Sequence, residues 1–163
     1  AAKDTRLSLV IQTICGTGIR VSELQYITAE AVRAGKAVVN CKNKTRVIFI
    51  PTSIQKLLKP YMKKSGVTAG SVFVTRSGKP LNRRNIWRDM KALCKRAGVS
   101  PDKVFPHNLR HLFARTFYSM DKDIVRLADL LGHSNVNTTR IYTMETGNEH
   151  RHRLERVEKL LMT

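Results

Sequence analysis

Acidic residues are scarce in this chain. Twelve Asp and Glu stand against 30 Lys and Arg in 163 residues, a formal net charge of +18 with a sequence pI of about 10.5. Charge this lopsided repels itself unless a polyanion offsets it, so nucleic acid is the favoured partner, ahead of an anionic membrane surface. Cysteine is sparse as well. Cys15, Cys41 and Cys94 lie far apart in apolar surroundings without metal-like spacing, which predicts reduced core thiols in a cytoplasmic protein rather than a disulfide framework. No apolar run is long enough to cross a bilayer and no signal-like segment opens the chain, so no membrane partner is expected. Internal repeats and low-complexity tracts are missing too, which argues against an array or a disordered tail.

What remains is a globular pattern. Hydrophobic residues make up 42% of the chain with charges scattered among them, and the length suits one domain able to bury roughly two thirds of its unfolded surface. The first residue is Ala rather than Met, and a further segment is expected to precede it. Leu7, Val10, Ile11 and Ile14 repeat at helical spacing, so a helix is predicted up to Gly16-Thr17-Gly18, where glycines allow a sharp exit. Arg20 follows that turn, and Ser22-Glu23-Leu24-Gln25 has the form of a capping box opening a second helix. An arginine beside an ordered helix start can be aimed at a phosphate, although a lone arginine after a turn is usually a surface charge.

Short β-rich runs at Ala31 to Arg33, Ala37 to Cys41 and Arg46 to Ile50 predict a small three-stranded antiparallel sheet on the edge of a helical domain. Further helices are expected after Pro51, with Ile54, Leu57, Leu58, Tyr61 and Met62 inward, and from Asn82 to Ala97, with Ile86, Met90, Leu93 and Cys94 inward. The second carries Arg83, Arg84, Arg88, Lys91, Lys95 and Arg96 on its other face, which suits a DNA groove as well as a merely soluble surface. Trp87 is expected to pack on the core. The fold class is therefore mainly α with a small antiparallel β-sheet (α+β).

Chemistry concentrates between Pro106 and Thr143. His107 and Arg110 are three residues apart and share one helix face, about a turn from each other. Ile124, Leu127, Ala128, Leu130 and Leu131 mark a core helix that Gly132 closes, so His133 leaves its end at a defined place. Tyr142 follows on a new helical turn beginning near Thr138. Histidines, an arginine and a tyrosine are the groups that hold, neutralise and attack a phosphodiester. Taken singly, each is more often structural: most histidines are, and Tyr26, Tyr61 and Tyr118 read as packing residues.

Together the motifs resemble the catalytic half of the tyrosine recombinase, or phage integrase, family. The likeness rests on T-G-x-R-x-S-E-L at Thr17 to Leu24, H-x-x-R at His107 to Arg110, L-G-H at Leu131 to His133 and T-T-x-x-Y at Thr138 to Tyr142. It implies the integrase catalytic-core fold over residues 1–163, and a smaller DNA-clamping domain ahead of it. The residues it assigns are Arg20 and Arg110 on the phosphate oxygens, His107 taking the tyrosine proton, His133 hydrogen-bonding a phosphate oxygen and Tyr142 as nucleophile. It also assigns a hairpin lysine that protonates the leaving 5′ oxygen. Lys42 matches that position, with Lys44 the alternative because the family's glycine is missing from this turn.

The implied reaction is cleavage and rejoining of double-stranded DNA at attachment sites through a 3′-phosphotyrosine, during integration or excision of a mobile element. A tyrosine hydroxyl, with a pKa of about 10, needs proton removal and an electrophilic phosphorus. The bond energy stays in the adduct, so no ATP and no cofactor are expected. No metal is expected either, because acidic pairs are absent around the motifs and His111, His150 and His152 show no ligand partners in the sequence. Asp121 and Asp123 read as helix-start residues. Other protomers in a synaptic multimer are the second expected partner. Leu154, Val157, Leu160 and Leu161 stripe a helix over residues 148–162 that covers either a neighbouring protomer or its own domain. The rival readings are a type IB topoisomerase and a non-catalytic DNA-binding module of the same fold.

Overall fold

A computed structural model describes residues 5–41, 44–142 and 147–162. Helix α1 (Thr5–Thr17) sits at the centre because Leu7, Val10 and Ile14 face inward. Against it pack α3 (Thr52–Ser65), α4 (Arg83–Ala97) and α5 (Pro106–Asp121). Gly18 ends α1 at φ +65°, and a Cβ there would fall 2.4 Å from the Phe113 ring. Only glycine lets α5 approach the exit of α1 this closely.

A 3-10 helix (Val21–Tyr26) follows, and its cap differs from the expected Ser22 box. Glu23 instead reaches back to the Arg20 backbone N–H at 2.8 Å. The carboxylate is buried and has to find donors, which the Arg20 amide and guanidinium supply.

The predicted third strand is a helix. Residues 29–34 form α2 (Ala29–Ala34), with the Thr28 side chain accepting from Ala31 N–H and Gly35 closing in the left-handed conformation. Three alanines and two good caps outweigh the single β-former Val32. The sheet has two strands among the described residues, β1 (Lys36–Cys41) and β2 (Lys44–Phe49), paired antiparallel from Lys36↔Phe49 to Cys41↔Lys44. Ala37, Val39 and Ile48 point into the core.

Helices α3 and α4 bury most of the expected stripes, Ile54, Leu58 and Met62 on one and Ile86, Met90 and Cys94 on the other. Leu57, expected inward, is exposed because it lies about 100° around the helix from Leu58. Trp87 departs from expectation and stands 47% exposed. One residue beyond Ile86, its direction diverges by about 100° from the inward stripe.

A second, smaller apolar cluster joins Ala114, Leu127, Leu131 and Tyr142, with Phe113, Phe117 and Tyr118 against it. It is built by α5 and α6 (Ile124–Leu131), and α6 starts at Asp123, whose carboxylate accepts from the Val125 and Arg126 amides at 2.9 Å. Short α7 (Asn137–Arg140) follows, then α8 (Gly147–Leu161). Leu154, Leu160 and Leu161 on α8 are exposed, so the stripe does not fold back on the domain. No helix among the described residues is long and apolar enough to cross a membrane.

Candidate active site

At the seam between the two apolar clusters a buried carboxylate gathers cations. Glu23 accepts from the Arg20 backbone N–H at 2.8 Å and from Arg20 Nη1 at 3.0 Å. Arg46, from β2, donates Nη2 to the same carboxylate and Nη1 to the Leu130 carbonyl at 2.5 Å. One arginine thereby ties the hairpin to the arginine turn and to the end of α6. Burial alone would raise the Glu23 pKa. The Arg20 amide and the Arg46 charge overcome it and hold the carboxyl below its usual range.

Gly132 lies over Arg46. At φ +65°, a Cβ on it would meet Arg46 Cδ at 2.4 Å. The glycine of L-G-H therefore serves both as the left-handed end of α6 and as clearance for Arg46.

Arg110 is 2% exposed and pairs with no carboxylate among the described residues. Its Nη1 donates to the Gly18 carbonyl at 2.7 Å, and its Nη2 to the Leu131 carbonyl at 2.6 Å. Nη2 also lies 3.1 Å from His133 Nε2. These carbonyls orient the guanidinium without neutralising it. Burial, then repulsion from Arg20 and Arg46, pulls its pKa down to about 10, still a full cation at neutral pH.

The Arg110 contact decides the tautomer of His133. A guanidinium only donates, so Nε2 accepts, the ring proton sits on Nδ1, and Nδ1 donates to Thr139 Oγ1 at 2.8 Å. Burial first, then Arg110, Arg20 and Arg46, pushes the His133 pKa down to about 4. The ring is neutral in the free protein. His107 is shifted the same way, by burial and then by Arg110, Arg83 and Arg20, which leaves it an available base at neutral pH.

Tyr142 is 6% exposed and lies one residue past the α7 C-cap, its amide bonded to the Thr139 carbonyl at 3.0 Å. Its ring stacks on His133 at 6.0 Å between centroids and meets His111 edge-on at 4.4 Å. His111 in turn meets His107 edge-on at 4.5 Å. Three rings thus run in sequence from the histidine of H-x-x-R to the tyrosine, and His133 stacks on the tyrosine's other side.

Five of the six expected residues, Arg20, His107, Arg110, His133 and Tyr142, are brought together in this way. Lys42 lies outside the described residues, as does the side chain of Lys44. Sequence reasoning missed four supports. Glu23 stood inside the S-E-L motif and Thr139 inside T-T-x-x-Y, while His111 follows His107 at i+4, so each had a signal. Arg46 had none beyond its place in a β-rich run. Asp121 was read as a cap but pairs with Arg126 at 2.8 Å, while Asp123 alone caps α6. No group of three or more His, Cys, Asp or Glu side chains that could hold a metal occurs among the described residues.

A cleft of about 620 Å³ opens beside these groups, between α4 and the start of α5. Arg20, Arg83, His107 and Arg110 line it together with Trp87 and Phe105. Its charge is positive, and no acidic side chain among the described residues lines it.

A mainly helical domain with a β-hairpin, bringing arginines, histidines and a buried tyrosine together beside a basic cleft, is the catalytic-core class of the integrase fold. Comparison with known proteins agrees. The profile of the phage integrase family matches residues 1–149, and the chain belongs to that family, the tyrosine recombinases. It is 31% identical over 159 residues to tyrosine recombinase XerA of Pyrococcus furiosus, covering 93% of this chain and 54% of that protein. A crystal structure of XerA recombinase superposes with a TM-score of 0.76 at 28% identity, covering 94% of this chain and 57% of that one. The post-cleavage complex of XerH site-specific recombinase bound to palindromic difH substrate gives 0.73 at 25% identity, over 100% of this chain and 48% of that one. The chain spans about half the length of the curated relatives it matches.

Proposed function

We propose that residues 1–163 are the catalytic domain of a site-specific DNA recombinase that cuts and rejoins strands through a 3′-phosphotyrosine on Tyr142. One observation carries this reading. Arg20, Arg46 and Arg110 converge with only Glu23 to offset them, and the ring series from His107 ends on a tyrosine beside that excess charge. Such a surplus of oriented donors is complementary to a phosphodiester whose charge grows in a pentacoordinate transition state. Relatives named as tyrosine recombinases, one seen with its DNA substrate after cleavage, support it further.

In the reaction, the Tyr142 oxygen attacks phosphorus and its proton passes to neutral His107. The bond to the 5′ oxygen breaks, and a hairpin lysine, Lys42 in this reading, protonates that leaving oxygen to give the 5′ hydroxyl. Phosphoester bonds are conserved in number, so reversal by another strand's 5′ hydroxyl needs neither ATP nor a metal. His133 meets the phosphate only after its Nε2 takes a proton, because in the free protein that atom accepts from Arg110. The arriving anion supplies the reason: burial first, then Arg110, Arg20 and Arg46, holds the His133 pKa down, and the anion offsets the arginine part.

The exposed basic face of α4 lies along the DNA, and the apolar stripe of α8 docks on a neighbouring protomer in the synaptic multimer. The biological outcome is integration or excision of a mobile element, as the family's phage integrases give their name to. The type IB topoisomerase alternative lacks a use for the exposed α8 stripe. The test is a nicked suicide duplex carrying a candidate attachment site, read on a denaturing gel with mass mapping of the adduct. Tyr142→Phe is expected to bind DNA with unchanged affinity and form no adduct. An adduct surviving in that variant would overturn the assignment.

A further inference from the structure

The wall of the cleft formed by α4 and the start of α5 has features that holding a phosphate does not explain. Trp87 is 47% exposed and Phe105 39% exposed, and both line an opening whose basic groups are Arg20, Arg83, His107 and Arg110. Arg83, Trp87 and Lys91 follow at four-residue steps, so they share one face of α4. The Lys91 ammonium sits 4.0 Å from the Phe105 ring centroid and 5.5 Å from that of Trp87, and donates to the Pro101 carbonyl. Two large rings are thus held in place by a shared cation while much of their surface faces water. The core is already closed by Ile86, Met90 and Cys94, so these rings are not needed to fill it.

An occupant must be anionic to suit three guanidiniums and no carboxylate, and flat and apolar to suit the rings. A nucleotide with its base out of the duplex stack has both properties, and the volume of about 620 Å³ is within the usual range for a ligand pocket. We propose that this cleft is a subsite for one unstacked base of a melted or single-stranded DNA segment, the base lying on Trp87 and its phosphate on Arg83. The inference rests on the reading that Arg20, His107 and Arg110 hold the cleaved phosphodiester, which would place the unstacked nucleotide next to the broken bond. Phe105, already covered by Lys91, closes the side of the subsite. Stacking reads a π-face and not a base identity, so the subsite is indifferent to sequence.

Trp87 is the sole tryptophan of the chain, so its emission reports on this cleft alone. The experiment uses the Tyr142→Phe chain, in which no cleavage intervenes. It is titrated with a short thymidine oligonucleotide, with a duplex carrying a short single-stranded gap, and with the same duplex intact. Saturable quenching of Trp87 emission by the oligonucleotide and the gapped duplex is expected, and Arg83→Gln should weaken it. Trp87→Leu should lower affinity for the gapped duplex about tenfold or more relative to the intact one, while Trp87→Phe, which keeps a ring, should restore most of the difference. Trp87 is half exposed, so these variants are expected to fold, and circular dichroism checks that they do.

Emission that stays unchanged when fluorescence anisotropy shows the gapped DNA saturated would overturn the subsite. So would an equal loss of affinity for gapped and intact duplex in Trp87→Leu. A Tyr142 adduct in the active chain without quenching removes the subsite and leaves the strand-transfer reading standing. Quenching without an adduct does the reverse.

Discussion

Replacing Arg46 by Met would remove the one side chain that links the hairpin, the arginine turn and the end of α6. The guanidinium contacts are lost from the Glu23 carboxylate and from the Leu130 carbonyl, while Glu23 stays buried. Breaking a buried ion pair by deleting one partner costs about 3–5 kcal/mol. Arg20 still bonds the orphaned carboxylate through its amide and Nη1, so the lower end, about 3 kcal/mol, is the expected loss. At about 2–4 °C per kcal/mol for a domain of this size, Tm should fall by about 6–12 °C in calorimetry at pH 7. Glu23→Gln combined with Arg46→Met should cost less than the sum of the two changes, with a coupling of about 0.5–3 kcal/mol.

The pH dependence follows in sign. Because the folded Glu23 carboxyl is held below its ordinary value, its stabilisation is complete above the unfolded pKa of about 4.3 and disappears as pH falls through the folded one. The gap in Tm between wild type and Arg46→Met should therefore narrow in acid. A variant within about 2 °C of wild type at pH 7, or strict additivity in the double mutant, would refute the account.

Gly132→Ala should destabilise by at least about 1–2 kcal/mol, since it combines a left-handed backbone with a Cβ against Arg46, and a thermal melt reads it. Saturating vanadate should raise the His133 pKa from about 4 towards its ordinary value by offsetting the surrounding arginines, followed through imidazole chemical shifts in NMR titration; an unmoved resonance would deny that the anion sits there. Without the anion, His133 binds a proton more readily unfolded than folded between its ordinary pKa of about 6.5 and about 4, so its contribution to stability is lost as pH falls through that window. Leu160→Glu with Leu161→Glu should leave Tm unchanged, because both side chains are exposed, yet weaken assembly on DNA in sedimentation if α8 docks on a neighbour.

Local chemistry was enough to read much of this protein. The boundaries of α1, α4 and α6 followed from apolar period and from Gly18, Asn82 and Gly132, because caps and stripes are decided within a few residues. The spacing of Arg20, His107, Arg110, His133 and Tyr142 carried the family and, with it, the expected site. One misreading was local too, since it overlooked two caps beside a short β-rich run. Residues 31–33 look like a strand until Thr28 and Gly35 close a helix around them.

What tertiary structure alone decided is how distant groups share one buried charge. Arg46 meets the Leu130 carbonyl 84 residues away, and Arg110 meets that of Gly18 across 92. No periodicity encodes such contacts, since they arise only when α5 packs on α1 and α6 packs on α5. The same packing set His111 against Tyr142, fixed the proton of His133 on Nδ1, and left Trp87 outside a core that Ile86 and Met90 had already filled. Sequence named the candidate residues, and the fold set their orientation and the protonation of His133.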